Sequence, residues 1–241
     1  LPFGYVHQDI AGHDALLIEP DGGKMRRLPT YPDSLNTQHI AADITLSPTA
    51  EARIEVNEVS RIFQYENEAG IVYLEPNKQK DRIRSGIHLS QADIRNLQIS
   101  ECKEANPSIT FRYTATSNQY GHKTGNRLFI PANVFRKEFS VPPLTKRTYP
   151  IHIDYGYTDT DSIRIQLPEG YVIEGLPKPL DVKSKFGSFH SDIQVKDKKI
   201  CIVHRLFMSK GVYSPDEYAA FIDFRKQVAG QYGGKIILKK E

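Results

Sequence analysis

Hydrophobic and polar residues alternate along most of this chain, and a period of two is typical of β-strands that bury one face. In residues 161–170, for example, Ile163, Ile165 and Leu167 share one face, while the residues between them are polar. Residues 39–65 contain two such stretches joined at the sequence SPTA, which suits a turn, and they predict a β-hairpin. The pattern therefore predicts a mainly β fold.

Further strands follow from the same pattern. Residues 94–103 and 107–117 predict a second strand pair with a turn at EANP, residues 127–133 predict a short strand, and the sequence KDKK predicts a hairpin turn. The opening segment is rich in proline and glycine, and only Ala15 to Ile18 predict a strand there. We expect this segment to lie along the domain that follows it rather than to fold alone.

Two stretches predict helices. Residues 77–85 are rich in helix-forming residues and lie between a proline and a glycine. The stronger prediction is a helix at 215–229, where Ser214 and Glu217 have the spacing of a capping box and Gly230 follows as a C-cap. The stripe expected to be buried consists of Tyr218, Phe221, Ile222, Arg225 and Val228. The sequence GGKIILKK then predicts a final strand whose charged end keeps a sheet edge soluble.

The sequence VPPLTKR at 141–147 predicts a linker, because tandem prolines favour extended backbone and resist packing into a sheet. We therefore expect two consecutive β-rich, sandwich-like domains. The first covers residues 36–140 and has a short helix, and the second covers residues 148–241 and ends with the helix and the final strand. Residues 1–35 are expected to be an extended segment from an upstream core.

Composition narrows the classes of function. Hydrophobic residues make up 39% of the chain and charged residues 25%, which supports a packed core. A net charge of +3 without a basic stripe argues against a nucleic-acid partner, and no apolar run is long enough to span a membrane. The two cysteines, Cys102 and Cys201, show neither a disulfide framework nor metal-type spacing, and we expect separate buried thiols.

Two pairs of residues have the types that metal binding or acid–base chemistry would need. His152 with Asp154, and His190 with Asp192, are two residues apart and so share a strand face. Two ligands alone do not make a zinc site, however, and the histidines show no metalloenzyme spacing. An ordinary polar sheet face is the expected explanation.

Three further motifs do not assemble into a site. Cys201 and His204 are three apart on a predicted strand and should point to opposite faces, leaving a buried thiol and a solvated imidazole. Asp159 and Asp161 in YTDTDS lack the Gly and Glu of a calcium loop and predict a turn. The sequence GHKTGNR at 121–127 lacks the order of a phosphate-binding loop. We assign no catalytic, cofactor-binding or metal-binding residue, and we expect no cofactor.

Several phrases of the sequence occur in a distinctive order: LPFGYVHQDIAGHDALLIEPDGGKMRRLP, RTYPIHIDYGYTDTDSIRIQLPEGYVIEGLP, KFGSFHSDIQV, SPDEYAAFIDFRKQVAG and KIILKK. In this order they resemble the carboxy-terminal region of large secreted bacterial proteins, common in Bacteroidetes, that carry a transglutaminase-like core flanked by domains of unknown function. The resemblance covers essentially the whole chain. Its most specific parts are LPEGYVIEGLP with the following FG, and the final helix with its strand.

The resemblance implies a Cys-His-Asp triad in the core, and LPFGY resembles the segment just after that core. All three triad residues would then precede Leu1, and none can be placed on a residue of this chain. Cys102 and Cys201 do not match the core motif, in which the cysteine begins a helix. On this interpretation the chain is not itself an enzyme, its partner is the upstream core of the same protein, and its location is periplasmic or extracellular.

Three hypotheses of function remain open at this point. The first is a non-catalytic accessory region that packs on or positions the transglutaminase-like core. The second is a glycan- or peptide-binding β module, which would need exposed aromatic residues among Tyr113, Tyr120, Tyr155, Tyr157, Tyr171, Tyr213 and Tyr218. The third is a hydrolase that uses the His152/Asp154 or His190/Asp192 pair.

Overall fold

The computed structural model describes residues 1–135 and 147–241. Within them, strands account for 49% of the residues and helices for 18%, so the predicted mainly β class is confirmed. The strands are β1 (Asp14–Glu19), β2 (Gly22–Arg27), β3 (Thr37–Leu46), β4 (Ala52–Arg61), β5 (Asp93–Cys102), β6 (Ser108–Ser117), β7 (His122–Thr124), β8 (Arg127–Pro131), β9 (Ile151–Ile153), β10 (Tyr157–Gln166), β11 (Tyr171–Gly175), β12 (Leu180–Ser184), β13 (Gly187–Lys196), β14 (Lys199–Met208), β15 (Gly211–Tyr213) and β16 (Lys235–Lys240). The α-helices are α1 (Phe63–Glu68), α2 (Pro76–Ser85) and α3 (Tyr218–Tyr232).

A large sheet of eight strands runs through the molecule in the order β12-β13-β14-β10-β3-β4-β6-β5. All its neighbouring strands are antiparallel except β10 and β3, which pair in parallel from Thr158 opposite Thr37 to Gln166 opposite Thr45. A smaller sheet has the order β11-β16-β8-β7.

The expected division into two consecutive domains does not match these sheets. Strand β3 of the predicted first domain pairs with β10 of the second, and β8 of the first pairs with β16 of the second. The first pair is parallel and the second antiparallel, but both join strands about a hundred or more residues apart in the sequence, so neither pairing is visible in the local pattern. The predicted linker cannot be assessed in the same way, because residues 141–146 lie outside the described part of the chain.

One face of the large sheet carries the core. A larger apolar cluster fills the space between this face and the small sheet, where Ile163 and Ile202 meet residues such as Leu128 and Ile236. A smaller cluster at the β13–β14 side lies beneath α3 and includes Phe189, Leu206, Met208, Phe224 and Val228. The opposite face of the sheet is polar and in contact with solvent, as the alternation predicts.

Most predicted elements are confirmed. The hairpin at 39–65 is β3–β4, the second pair is β5–β6, the strand at 127–133 is β8, and the helix at 77–85 is α2. The KDKK turn is a two-residue hairpin loop with positive φ at Asp197 and Lys198, the geometry that matches strand twist. The capping box of the final helix is present: Glu217 accepts from the Ser214 backbone N–H at 2.9 Å.

Four local predictions are corrected. The opening segment forms a complete hairpin, since GGKMRR pairs with β1 although it lacks apolar alternation. The YTDTDS stretch is the start of β10 and not a turn. Helix α3 continues past Gly230 to a C-cap at Gly233, because the intervening Tyr232 packs into the core. The final strand β16 lies between β11 and β8 and not at an edge.

Candidate functional site

A group of buried polar side chains lies on the core face of β10, β13 and β14. Asp161, His204 and Ser191 stand side by side on these three strands, because Asp161 pairs with His204 and His204 pairs with Ser191. All three are almost completely buried. They separate the two apolar clusters, with Ile202 on one side of His204 and Leu206 on the other. We call Asp161, His204, Ser191, Asn133, Gln231 and Tyr232 the polar core network.

Asn133 links the parts of this network. Its Oδ1 accepts from the backbone N–H of Phe135 at 2.7 Å, which turns its amide nitrogen toward the sheet. That nitrogen donates to Asp161 Oδ2 at 2.7 Å and lies 3.2 Å from Nδ1 of His204. The segment after β8 is thereby tied to two strands of the large sheet. This accounts for the burial of its polar side chain, since a buried amide is costly unless hydrogen-bonded.

His204 is a neutral imidazole. Burial lowers its pKa from the ordinary value to about 4, because the charged form is penalised away from water. With the Asn133 amide donating to Nδ1, the ring proton belongs on Nε2. Nε2 is buried and has no hydrogen-bond partner among the described residues. The rings of Tyr232 and Phe189 lie 5.0 and 5.7 Å from the imidazole, so the site is tightly packed.

Helix α3 contributes the remaining two members of the polar core network, Gln231 and Tyr232. Gln231 Nε2 donates to Ser191 Oγ at 2.8 Å. Burial, together with the charges of Asp161 and Asp159, raises the pKa of the Tyr232 hydroxyl well above its ordinary range. Desolvation likewise lowers the pKa of Arg225, which the same helix presents. Ionised forms of the network's Tyr and His are therefore disfavoured.

A serine, a histidine and an aspartate in a row invite comparison with a hydrolase triad. In a triad the aspartate holds the histidine and the histidine contacts the serine. Here the Asn133 amide occupies the position at Nδ1, Ser191 Oγ accepts from Gln231, and the three side chains lie within the core. The arrangement is that of a structural network that fixes the position of α3.

The prediction of a turn at YTDTDS, the first part of β10, hid this network. Asp159 and Asp161 lie two to six positions, always an even number, before Ile163 and Ile165. Residues at such spacings point to the same face of a strand, so the spacing indicates that both carboxylates face the core. Asp159 is satisfied by Gln64, whose Nε2 donates to its Oδ1 at 2.7 Å.

The predicted pair Cys201 and His204 does point to opposite faces, but the exposures are reversed. His204 is buried, whereas Cys201 is half-buried on the outer face of β14. Cys102 is exposed, so the expectation of buried thiols is wrong, although both cysteines are free.

The structure does not join the two predicted His/Asp pairs into one site. His190 pairs across the strands with Asp181, at 2.7 Å, and not with Asp192. His152 and Asp154 are exposed and line a cleft described below. In the described ranges, no three His, Cys, Asp or Glu side chains are grouped to hold a metal ion. The sequence at 121–127 forms the β7–β8 hairpin, with Gly125 at positive φ in its turn.

The tyrosines singled out for a binding surface are not exposed. Four are buried and three are half-buried: Tyr113, Tyr120, Tyr171 and Tyr218 in the first group, and Tyr155, Tyr157 and Tyr213 in the second. Stacking on a sugar or an extended peptide requires accessible rings. These seven residues therefore give no support to a glycan- or peptide-binding surface.

A second polar cluster lies where the opening segment meets α1. We call residues 1–13 the strap and the contacts of Glu66 its anchor. Glu66 Oε2 accepts from the Tyr5 hydroxyl at 3.0 Å and from the Gln8 backbone N–H at 3.1 Å, and Oε1 lies 2.8 Å from His7 Nε2. The Glu66 side chain is 5% exposed. Burial and the hydrogen bond to Glu66 raise the pKa of the Tyr5 hydroxyl well above its ordinary range.

Aromatic rings continue the contact between this segment and the sheet. Tyr5 stacks on Tyr31 at 5.3 Å, Tyr31 packs edge-on against Phe63 at 5.5 Å, and Phe63 contacts Tyr155 at 5.0 Å. Beyond Tyr31, Gly156 donates its backbone N–H to Asp33 Oδ1 at 3.2 Å. A Cβ at Gly156 would lie 2.1 Å from that carboxylate, so only glycine allows the approach.

The β1–β2 hairpin, in contrast, is a separate two-stranded sheet, since neither strand pairs with any other strand of the described structure. Leu16, Ile18 and Met25 fall on one face by strand parity and cross-strand register, and they are 61%, 83% and 65% exposed. An isolated two-stranded hairpin is at best marginally stable in water, and contiguous exposed apolar residues commonly mark an interaction site. We call this surface the hairpin face.

A cleft of about 640 Å³ separates the strap from the two-stranded ribbon β9–β15. One wall carries Asp9, His13 and Arg27, and the other carries His152, Asp154, Tyr155 and Lys210.

Comparison with known proteins gives limited information. Residues 126–238, just under half of the chain, match the family model described as "Domain of Unknown Function with solved-structure structure (DUF3858)". One solved structure similar to the chain is described as a "putative protease" from Parabacteroides distasonis ATCC 8503, with 5% sequence identity and a TM-score of 0.38 over 84% of this chain and 99% of that one. A TM-score this low transfers neither a fold nor an activity.

A comparison with curated proteins gives no match. In residues 1–135 and 147–241, no helix is both long and apolar enough to cross a membrane.

Proposed function

We propose that this chain is a non-catalytic accessory region of an exported protein with a transglutaminase-like core, and that it holds a neighbouring domain of that protein against the hairpin face. The observation that carries the proposal is the hairpin itself. It presents Leu16, Ile18 and Met25 to solvent while the segment that contains it is fastened to the sheet through Glu66, Tyr31 and Asp33.

Two further observations support an accessory role. The polar core network is closed and packed, which suits a scaffold better than a site that must admit a substrate. The resemblance described above implies that a domain with a Cys-His-Asp triad precedes LPFGY, the start of the segment that carries the hairpin. An apolar face of this kind, with the exposed Asp14–Arg27 ion pair beside it, has the chemistry of a protein–protein contact.

The chain contains its own probe for this proposal, because it has two methionines of opposite exposure. Met25 is 65% exposed on the hairpin face, and Met208 is 1% exposed in the core. Peroxide converts accessible methionine to its sulfoxide, and mass spectrometry can follow the two residues separately. In the isolated chain Met25 should oxidise readily and Met208 slowly.

The test compares this chain with the longer native protein. We expect Met25 to be strongly protected in the longer protein while Met208 is unchanged. Equal oxidation of Met25 in both forms would show that no domain covers the hairpin face. The sequence of the native protein before Leu1 tests the family separately, because the proposal requires a cysteine at a helix start followed by a histidine and an aspartate.

A further inference from the structure

We propose that residues 1–13 form a releasable strap whose hydrogen bonds to the body converge on the carboxylate of Glu66, and that release uncovers the cleft walled by His152, Asp154 and Lys210. Every contact in this inference lies within the chain. It therefore holds or fails independently of the neighbouring domain proposed above.

The first argument is that the strap's hydrogen bonds to the body converge on one residue. Among the described residues, the hydrogen bonds of residues 1–13 that reach beyond residue 31 all end on the Glu66 carboxylate: the Tyr5 hydroxyl and the Gln8 backbone N–H donate to it. His7 Nε2 adds a third polar contact at 2.8 Å. The remaining bonds are local, such as Gly12 N to Pro29 O and Val6 N to the Tyr31 hydroxyl.

The second argument is the space on the other side of the strap. The cleft of about 640 Å³ lies between the strap and the β9–β15 ribbon, so the strap does not pack closely on that ribbon. Charged residues line both sides of the cleft, with Asp9 and Arg27 from the opening segment and Asp154 and Lys210 from the residues next to β9 and β15. Such groups remain hydrated whether the strap is closed or open, which lowers the cost of opening.

The third argument is the position of the hinge. Tyr31 and Asp33 keep their own contacts with Phe63 and Gly156 when the Glu66 contacts are removed. The strap and the β1–β2 hairpin would then move together about residues 30–33, and this movement also separates the Tyr5 ring from Tyr31 and Tyr65 and the Val6 amide from the Tyr31 hydroxyl. Glu66 is a positioning residue in this arrangement, since it acts by holding Tyr5, His7 and Gln8.

Hydrogen exchange in Glu66→Ala tests the inference. The Gln8 amide loses a charged acceptor, and we expect it to exchange roughly ten- to a hundredfold faster than in the parent chain. The amides of Ile165 and Ile202 in the core should be unchanged. The matched control is Glu68→Ala on the same helix, which removes an ion pair with Arg82 and should leave Gln8 exchange as it was.

Two results would overturn the inference. Equal Gln8 exchange in the Glu66 and Glu68 variants would show that Glu66 is not the anchor. Acceleration of Gln8 and the core amides by the same factor would show that Glu66 supports the whole fold. If Glu66→Ala does not fold, Tyr5→Phe removes one hydroxyl from the strap side alone, and it must speed Gln8 exchange without changing Ile165; identical exchange in Tyr5→Phe and the parent would refute the anchor.

Discussion

The polar core network and the Glu66 anchor both take polar groups out of water, but they are connected to the fold in different ways. The network joins three strands of the large sheet, the segment after β8 and helix α3, and it lies between two apolar clusters. The anchor joins one short stretch, residues 5–8, to one carboxylate at the periphery. Breaking the network should destabilise the whole body, whereas breaking the anchor should open only the strap.

The largest expected effect follows from Asn133→Ala. This change leaves Asp161 Oδ2, His204 Nδ1 and the Phe135 N–H without their shared partner in a buried site. We expect the free energy of unfolding to fall by about 3–5 kcal/mol, because each of these buried groups loses a hydrogen bond that it cannot replace with water. Urea denaturation measures it.

The control for this prediction is Asn57→Ala on the solvent side of the sheet, where the Asn57 side chain accepts from Arg112 Nε at 3.0 Å. It should change stability by no more than about 0.5 kcal/mol. A loss below about 1 kcal/mol in Asn133→Ala would mean that the network is not integral to the core.

The pH dependence of stability provides a second way to test the network. The pKa of His204 is lowered to about 4 in the folded chain, against an ordinary value of about 6.5. Between these values the unfolded state binds a proton that the folded state does not, so stability is lost as pH falls. The loss attributable to His204 approaches about 3 kcal/mol near pH 4.

Urea melts of the parent chain and of His204→Gln at several pH values isolate this contribution. The parent should lose more stability between pH 6.5 and 4 than the variant does, whatever their difference at neutral pH. Parallel curves would show that His204 titrates equally in both states and is not buried as described.

Ser214→Ala should have a smaller effect. The Ser214 side chain accepts from the backbone N–H of Asp216, within the capping box that starts the helical segment leading into α3. Loss of an N-cap costs about 1 kcal/mol, and the effect reaches the network only through the helix that covers it. Overlapping urea melts of Ser214→Ala and the parent would mean that the cap contributes nothing.

Tyr31→Phe should have the smallest global effect of the four changes. The variant keeps the ring that stacks on Tyr5 and removes only the hydroxyl that accepts from Val6 N. We expect a global change of at most about 0.5 kcal/mol together with faster exchange of the Val6 amide. A large global loss would place the strap within the cooperative core and remove the contrast between the two clusters.

Local patterns predicted the elements well, because strand parity, turn residues and capping residues act over a few positions. Ser214 with Glu217 and the KDKK turn are clear cases. The pairing of β3 with β10 could not be predicted, since it joins residues 37–45 to residues 158–166 and depends on which apolar faces fit together in space.

The polar clusters were missed for a related reason. Asp161 and Asn133 are distant in the sequence, and each resembles an exposed residue until its partner is known. The second strand of the opening hairpin, which carries Met25, was likewise missed, because GGKMRR lacks apolar alternation and lies in a stretch rich in proline and glycine. Asp159 and Asp161 occupy alternate positions that continue the buried face begun by Ile163. A polar residue at such a position in the sequence predicts a buried polar contact.

Native-state hydrogen exchange across a urea series tests the central contrast most directly. The amides of Asp161 and His204 should exchange only through global unfolding, with an opening free energy that falls steeply as urea rises. The Gln8 amide should exchange through a local opening of lower free energy that depends little on urea. If Gln8 and His204 instead show the same free energy and the same urea dependence, the strap and the body are one cooperative unit, and the distinction between them is wrong.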